Sequence, residues 1–170
     1  MATHVAFLRA VNVGGTGKLP METLRGMCAE AGFENPRTYI ASGNLVFESE
    51  KTGEDACAIL EQKLESYAGK PVGVIMRSPA DVKAICENCP FPDAPGNKVI
   101  ALLLPNAATP ADTANVKHQQ DEQIIASNRE IYVHYASGQG KSRLKLEAQD
   151  RGTARNMNTL SKVYSLATTP

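Results

Sequence analysis

The apolar positions of this chain alternate between short continuous runs and longer stretches with helical spacing. Residues 5–11 (VAFLRAV) form a near-continuous apolar run, the pattern of a central strand covered on both faces. Pro20 suits the first turn of a helix, because that position needs no donated N–H. Met21, Leu24, Met27 and Cys28 come next at helical spacing, and Gly32 is a stop. Residues 37–41 (RTYIA) and 45–48 (LVFE) read as two strands around the turn Ser42-Gly43-Asn44. Residues 56–67 predict an amphipathic helix with Ile59, Leu60, Leu64 and Tyr67 facing inward. Gly69 ends it, and residues 72–77 (VGVIMR) read as another buried strand. The order strand, helix, strand, strand, helix, strand is the split βαβ plan of a ferredoxin-like fold.

The second half repeats part of this rhythm. Ser78-Pro79-Ala80-Asp81 is a helix start, with a capping hydroxyl, a proline and an early acid, and the helix is predicted to run to about residue 89. Residues 98–104 (KVIALLL) are the most apolar strand. Thr109-Pro110-Ala111-Asp112 repeats the start pattern and predicts a helix to about residue 120. Residues 122–126 and 130–135 form a second hairpin pattern. Residues 142–148 read as helical, and 158–166 as a closing helix capped at Asn158-Thr159. A final strand for this second copy is not evident. The expected fold is α+β: two ferredoxin-like halves packed into one unit, with antiparallel sheets and helices on one face. The halves are residues 1–77 and residues 78–170, the second with an extra C-terminal helix.

Composition narrows the function classes. Of 170 residues, 42% are hydrophobic, and 18 lysines and arginines balance 18 aspartates and glutamates. A non-specific nucleic-acid binder normally carries a basic excess, and none is visible in the totals; a local basic patch stays open. No apolar run approaches the roughly 20 residues of a membrane span, so no membrane partner is expected. The N-terminus lacks a signal-peptide pattern, and the expected location is cytoplasmic. Cys28, Cys57, Cys86 and Cys89 then read as thiols rather than a disulfide framework. Cys86 and Cys89 have redox or metal spacing, but two thiols are half a zinc set, and they lie near a predicted helix C-terminus, where the dipole raises a thiol pKa. The three histidines form no ligand cluster and no nucleophile elbow is present. No metal, cofactor or catalytic residue is therefore predicted.

The candidate chemistry gathers near the start. Gly14, Gly15 and Gly17 lie between a strand and a helix, and Lys18 comes directly after them. Such loops can bind anions through backbone N–H groups, or can be glycine-rich for backbone reasons alone. A phosphate-binding NTPase loop would need glycine where Asn12 stands and a hydroxyl where Leu19 stands, so that reading fails. The dinucleotide fingerprint fails at position 20. Arg9, inside an apolar run, needs a carboxylate such as Glu48, several carbonyls, or a cleft to reach. The most basic stretch is late: Lys141, Ser142, Arg143, Lys145, Arg151, Arg155, Asn156 and Asn158. It is either a solvated basic face or the far wall of a cleft opposite the glycine loop.

Three motif blocks carry a resemblance. They are residues 8–15 (LRAVNVGG) with Lys18-Leu19-Pro20-Met21 and Leu24, residues 38–47 (TYIASGNLVF), and residues 130–135 (EIYVHY) with Gly138, Gly140-Lys141-Ser142 and residues 154–160 (ARNMNTL). The chain resembles the bacterial domain-of-unknown-function family number sixteen-ninety-seven. Met157 stands where that family usually has tryptophan, and Ala10 where it usually has glycine. The resemblance implies two ferredoxin-like halves and brings no activity. The shared polar positions are Arg9, Asn12, Lys18, Ser42, Asn44, Lys141, Arg155, Asn156 and Asn158. With Gly14 and Gly15 they are the candidate residues for a small anionic ligand: phosphate, nucleotide or carboxylate. The alternatives are a module for RNA or single-stranded nucleic acid, and a non-catalytic protein-interaction module.

Overall fold

The computed structural model describes residues 1–13 and 18–169. Among them are eight strands and four α-helices. The chain divides into two compact units, Met1–Val82 with Lys162–Pro170, and Lys83–Ser161.

The first unit runs β1 (Ala2–Leu8), α1 (Met21–Glu30), β2 (Glu34–Tyr39), β3 (Asn44–Ser49), α2 (Gly53–Ala68) and β4 (Val74–Arg77). Its sheet has the order β2-β3-β1-β4 with every pair antiparallel, the element and strand order of the split βαβ plan. Alternation along β1 and β3 sends Ala6, Leu8, Leu45 and Phe47 into one core with Leu24 and Cys28 of α1 and Leu60 and Leu64 of α2. Phe33 stacks on Phe47 with ring centres 4.4 Å apart. Helix α2 begins where the Thr52 side chain accepts the Asp55 N–H at 3.1 Å, and ends at Gly69, whose φ of 75° is left-handed. Its inward stripe is narrower than its spacing predicts: Tyr67 is 48% exposed.

The second unit contains β5 (Val99–Leu103), β6 (Gln123–Ser127), β7 (Glu130–His134) and β8 (Thr153–Asn156), in the order β6-β7-β5-β8 and again antiparallel. The other two α-helices are α3 (Pro79–Glu87) and α4 (Met157–Thr168), and a unit boundary falls within each. Both sheets share one strand order, but the second unit's connections differ from the expected helices. Residues 110–113 form one 3₁₀ turn, and Lys117 then bridges Lys145 as extended chain. The Thr109 cap starts a turn, but residues 114–120 carry no apolar stripe to propagate a helix, and His118 takes φ 60°. Residues 144–148 are also extended at first: Leu144, Leu146 and Ala148 are buried and Lys145 and Glu147 exposed, a period of two. The missing strand is β8, four residues (TARN) with too little apolar content to announce itself.

Among the described residues, no helix is long and apolar enough to cross a membrane.

Candidate functional site

Strand β1 lies inside its sheet, between β3 and β4, and its end is shaped by both neighbours. Past the regular ladder, the Leu8 N–H donates to the Gly43 carbonyl and the Arg9 N–H to the Gly73 carbonyl, both at 2.9 Å. Arg9 therefore leaves the sheet from its interior. A Cβ on Gly43 would lie 2.8 Å from the Leu8 Cβ, so only glycine lets the β2–β3 turn approach β1 this closely. A Cβ on Gly73 would lie 3.0 Å from the Arg9 Cδ, so the arginine stem occupies the space beside Gly73. The carboxylate of Glu48 is bound to Arg37 at 2.8 Å, an ion pair that replaces the one considered for Arg9.

Asn12 is a latch. Its Nδ2 donates to the Leu19 carbonyl at 2.9 Å and to the Ala41 carbonyl at 2.8 Å, and its Oδ1 accepts the Leu19 N–H at 2.6 Å. The amide thus holds residues 12 and 19 side by side and ties both to the β2–β3 turn. Tyr67 of α2 donates its hydroxyl to the Lys18 carbonyl at 3.0 Å, so the backbone of Lys18 and Leu19 is fixed from two directions. Gly14 and Gly15 lie outside the described residues. Asn44 is fully buried, and its Nδ2 donates to the Tyr39 carbonyl at 2.9 Å and the Ser42 hydroxyl at 3.0 Å, which shapes the same turn. Ala10 (φ 52°), Asn12 (57°), Ile40 (52°) and Gly43 (92°) are left-handed. Backbone strain is therefore concentrated at this end of the sheet, about 1–2 kcal/mol for each residue that carries a Cβ.

Between these parts lies an open cavity of about 400 Å³. Lys18, Lys70 and Tyr67 are exposed at its rim and Arg9 is half-buried beside them. Val11, Leu19 and Leu64 are buried and make its floor. No acidic residue is among the described residues that line it. The arrangement is a cationic rim over an apolar floor, suited to an anion attached to a hydrophobic body. Arg9 and Lys18 were singled out from the sequence; Tyr67 and Lys70 were not. The signal for the latter pair was the Gly69 helix stop with Lys70-Pro71 after it, which turns the chain back past the end of α2 into β4.

Several of the late polar residues have partners within the second unit. Arg155 is 6% exposed; its Nη1 donates to the Thr153 hydroxyl at 2.6 Å and the Ala154 carbonyl at 2.9 Å, and burial pushes its pKa down to about 10. The Asn156 Oδ1 accepts the Thr159 N–H at 2.8 Å and so caps α4, two residues before the position predicted for the cap. Asn158 packs against Gly96, where a Cβ would lie 2.1 Å from its Oδ1. Ser142 donates its hydroxyl to the Glu122 carboxylate and accepts the Leu144 N–H at 3.1 Å. The Ser142 bond, with the Gln120 N–H at 2.6 Å, holds the Glu122 carboxyl below its usual range. Lys141 is exposed on the 3₁₀ turn Gln139–Lys141. The four cysteines are free thiols, and desolvation pushes Cys28 and Cys57 up to about 12. Among the described residues, no group of three or more His, Cys, Asp or Glu side chains could hold a metal ion.

The profile of a family described as "Protein of unknown function (DUF1697)" matches residues 1–132. The chain belongs to the DUF1697 family. The matched span includes every described residue that lines the cavity. A solved structure of a conserved bacterial protein from Streptococcus pneumoniae superposes on this DUF1697 chain with a TM-score of 0.77. It covers 97% of this chain and 98% of that one at 21% sequence identity, a likeness of fold. No curated protein matches the sequence.

Proposed function

We propose that this DUF1697 protein binds a small organic anion in the cavity of its first unit, with Arg9, Lys18 and Lys70 as the charged contacts. The observation that carries the reading is the cationic rim above the apolar floor, in a chain whose overall charge is zero. Three positively charged residues line it, and no carboxylate is among the described residues that line the cavity with them. Cations held close together at a partly desolvated site attract an anion more strongly than the same charges spread over a surface. Asn12, Ser42 and Asn44 serve the site as positioning residues, because their amides and hydroxyl are bound to backbone and to each other. Lys141, Arg155, Asn156 and Asn158 fall outside the site in this reading. Asn156 and Arg155 are committed to the helix cap and to strand β8, and Asn158 to its packing on Gly96.

Thermal unfolding of the full chain against a panel of phosphates, sulfonates and carboxylates tests this. Ligands that bind only the folded state raise the melting temperature with concentration. The expected result is a saturable rise for at least one organic anion, lost in Arg9→Ala and weakened in Lys70→Ala. A panel without a responder, or an equal rise in Arg9→Ala, would overturn the reading.

A further inference from the structure

Resting on that reading, we infer that the ligand is a phosphomonoester with a compact apolar body, rather than a carboxylate, a free phosphate or a nucleotide. The charge of the site points to the phosphoryl group. Arg9, Lys18 and Lys70 present three cations with no acid among the described lining residues, and a monocarboxylate would offset only one of them. A phosphomonoester carries a charge of about −2 at neutral pH and three terminal oxygens, so each cation can have an oxygen acceptor. Arg9 and the two lysines together supply the positive charge that a dianion needs.

The floor points to the body. Val11, Leu19 and Leu64 are buried, Val72 is half-buried beside them, and the cavity holds about 400 Å³. That is within the range of pockets that enclose a small organic molecule, roughly 300–1,000 Å³. An inorganic phosphate held at the rim would leave this floor uncovered. A nucleobase would fill it but needs partners for its polar edges. Apart from the cations, the side chain able to hydrogen-bond among the described lining residues is Tyr67, whose hydroxyl already donates to the Lys18 carbonyl. An aryl or branched alkyl body makes no such demand and gains from burial against aliphatic side chains.

Calorimetric titration of the full chain with naphthyl phosphate, inorganic phosphate, naphthoate and adenosine monophosphate tests the inference. Naphthyl phosphate is expected to bind at least tenfold more tightly than each of the other three. Val72→Ser should lower its affinity severalfold while leaving that of inorganic phosphate unchanged. Lys70→Ala, at an exposed position, should weaken both phosphates together. Vesicles containing phosphatidic acid form a further arm. Retention on them without binding of naphthyl phosphate would move the phosphate to a lipid headgroup and overturn the compact body. Naphthoate, phosphate or the nucleotide binding as tightly as naphthyl phosphate would also overturn the inference. If naphthyl phosphate fails while another anion raises the melting temperature through Arg9, the inference falls and the anion site stands; if no anion binds, both fall.

Discussion

Arg9 and Gly73 meet twice. The Arg9 amide donates to the Gly73 carbonyl at 2.9 Å, and the arginine stem passes so close that a Cβ on residue 73 would stand 3.0 Å from its Cδ. The bare α-carbon at position 73 therefore sets the path of a side chain that lines the cavity.

Gly73→Ala is thus a change that reaches the site without touching a ligand. The methyl group must push the flexible arginine stem aside by a few tenths of an ångström, at a cost to stability of under about 1 kcal/mol. The guanidinium moves with the stem. Affinity for naphthyl phosphate is expected to fall roughly three- to tenfold, up to about 1.4 kcal/mol, in calorimetric titration. An unchanged affinity would show that the Arg9 stem does not position the charged end.

Asn12→Ala removes two donated bonds and one accepted bond and leaves a Cβ-bearing residue at φ 57°. Three bonds at about 1 kcal/mol each set the scale, with relaxation of the loop offsetting part, so a loss of about 2–3 kcal/mol is expected in urea denaturation. Asn12→Gly loses the same bonds but tolerates the left-handed backbone, so it should lie about 1 kcal/mol above the alanine variant. Equal stability of the two variants would mean that the backbone at position 12 relaxes out of its left-handed state.

Ala10 is also left-handed, at φ 52°. Ala10→Gly relieves strain of about 1–2 kcal/mol and returns about 0.5–1 kcal/mol to the unfolded chain as entropy. The net expectation is a gain of about 0.5 kcal/mol, read as a rise of about 1–2 °C in melting temperature. A lower melting temperature would show that the alanine methyl makes packing contacts worth more than the strain.

The first unit was legible because its helices and strands carry strong periodicities and its breaks carry glycine. The element order derives from them. The second unit was less so. Thr109 to Asp112 has every local mark of a helix start, yet residues 114–120 have no apolar face to bury, and a cap cannot extend a helix alone. Leu144, Leu146 and Ala148 do alternate, but three positions interleaved with Lys145 and Glu147 fit a helix pattern almost as well. Arg9 and Lys18 were visible at the site because charge inside or beside an apolar run is conspicuous. Asn12 was visible as polar, but its service to the Leu19 and Ala41 backbone depends on which carbonyls the fold brings to it. Tyr67 looked like a core residue by spacing, since a helical stripe does not reveal where the core ends.

Asp112 links stability to pH in the second unit. It is buried, accepts the Thr109 N–H at 2.7 Å, and pairs with Arg151 at 2.7 Å. The Thr109 bond, and after it the Arg151 bond and charge, hold its carboxyl below the usual carboxylate range. A depressed folded-state pKa means that the unfolded chain takes up the proton first as pH falls. The contribution is therefore complete above the unfolded value near 4, and it is lost as pH drops through the folded value. Asp112→Asn keeps the shape and one acceptor but has no charge to titrate. Urea denaturation from pH 7 to pH 2 should show the natural chain more stable than the variant at neutral pH, with the gap closing below about pH 4. Glu122 is depressed in both proteins and cancels in the difference. A gap that stays constant across the range would mean that Asp112 stabilises the turn through hydrogen-bond geometry alone, and that its ion pair with Arg151 contributes nothing.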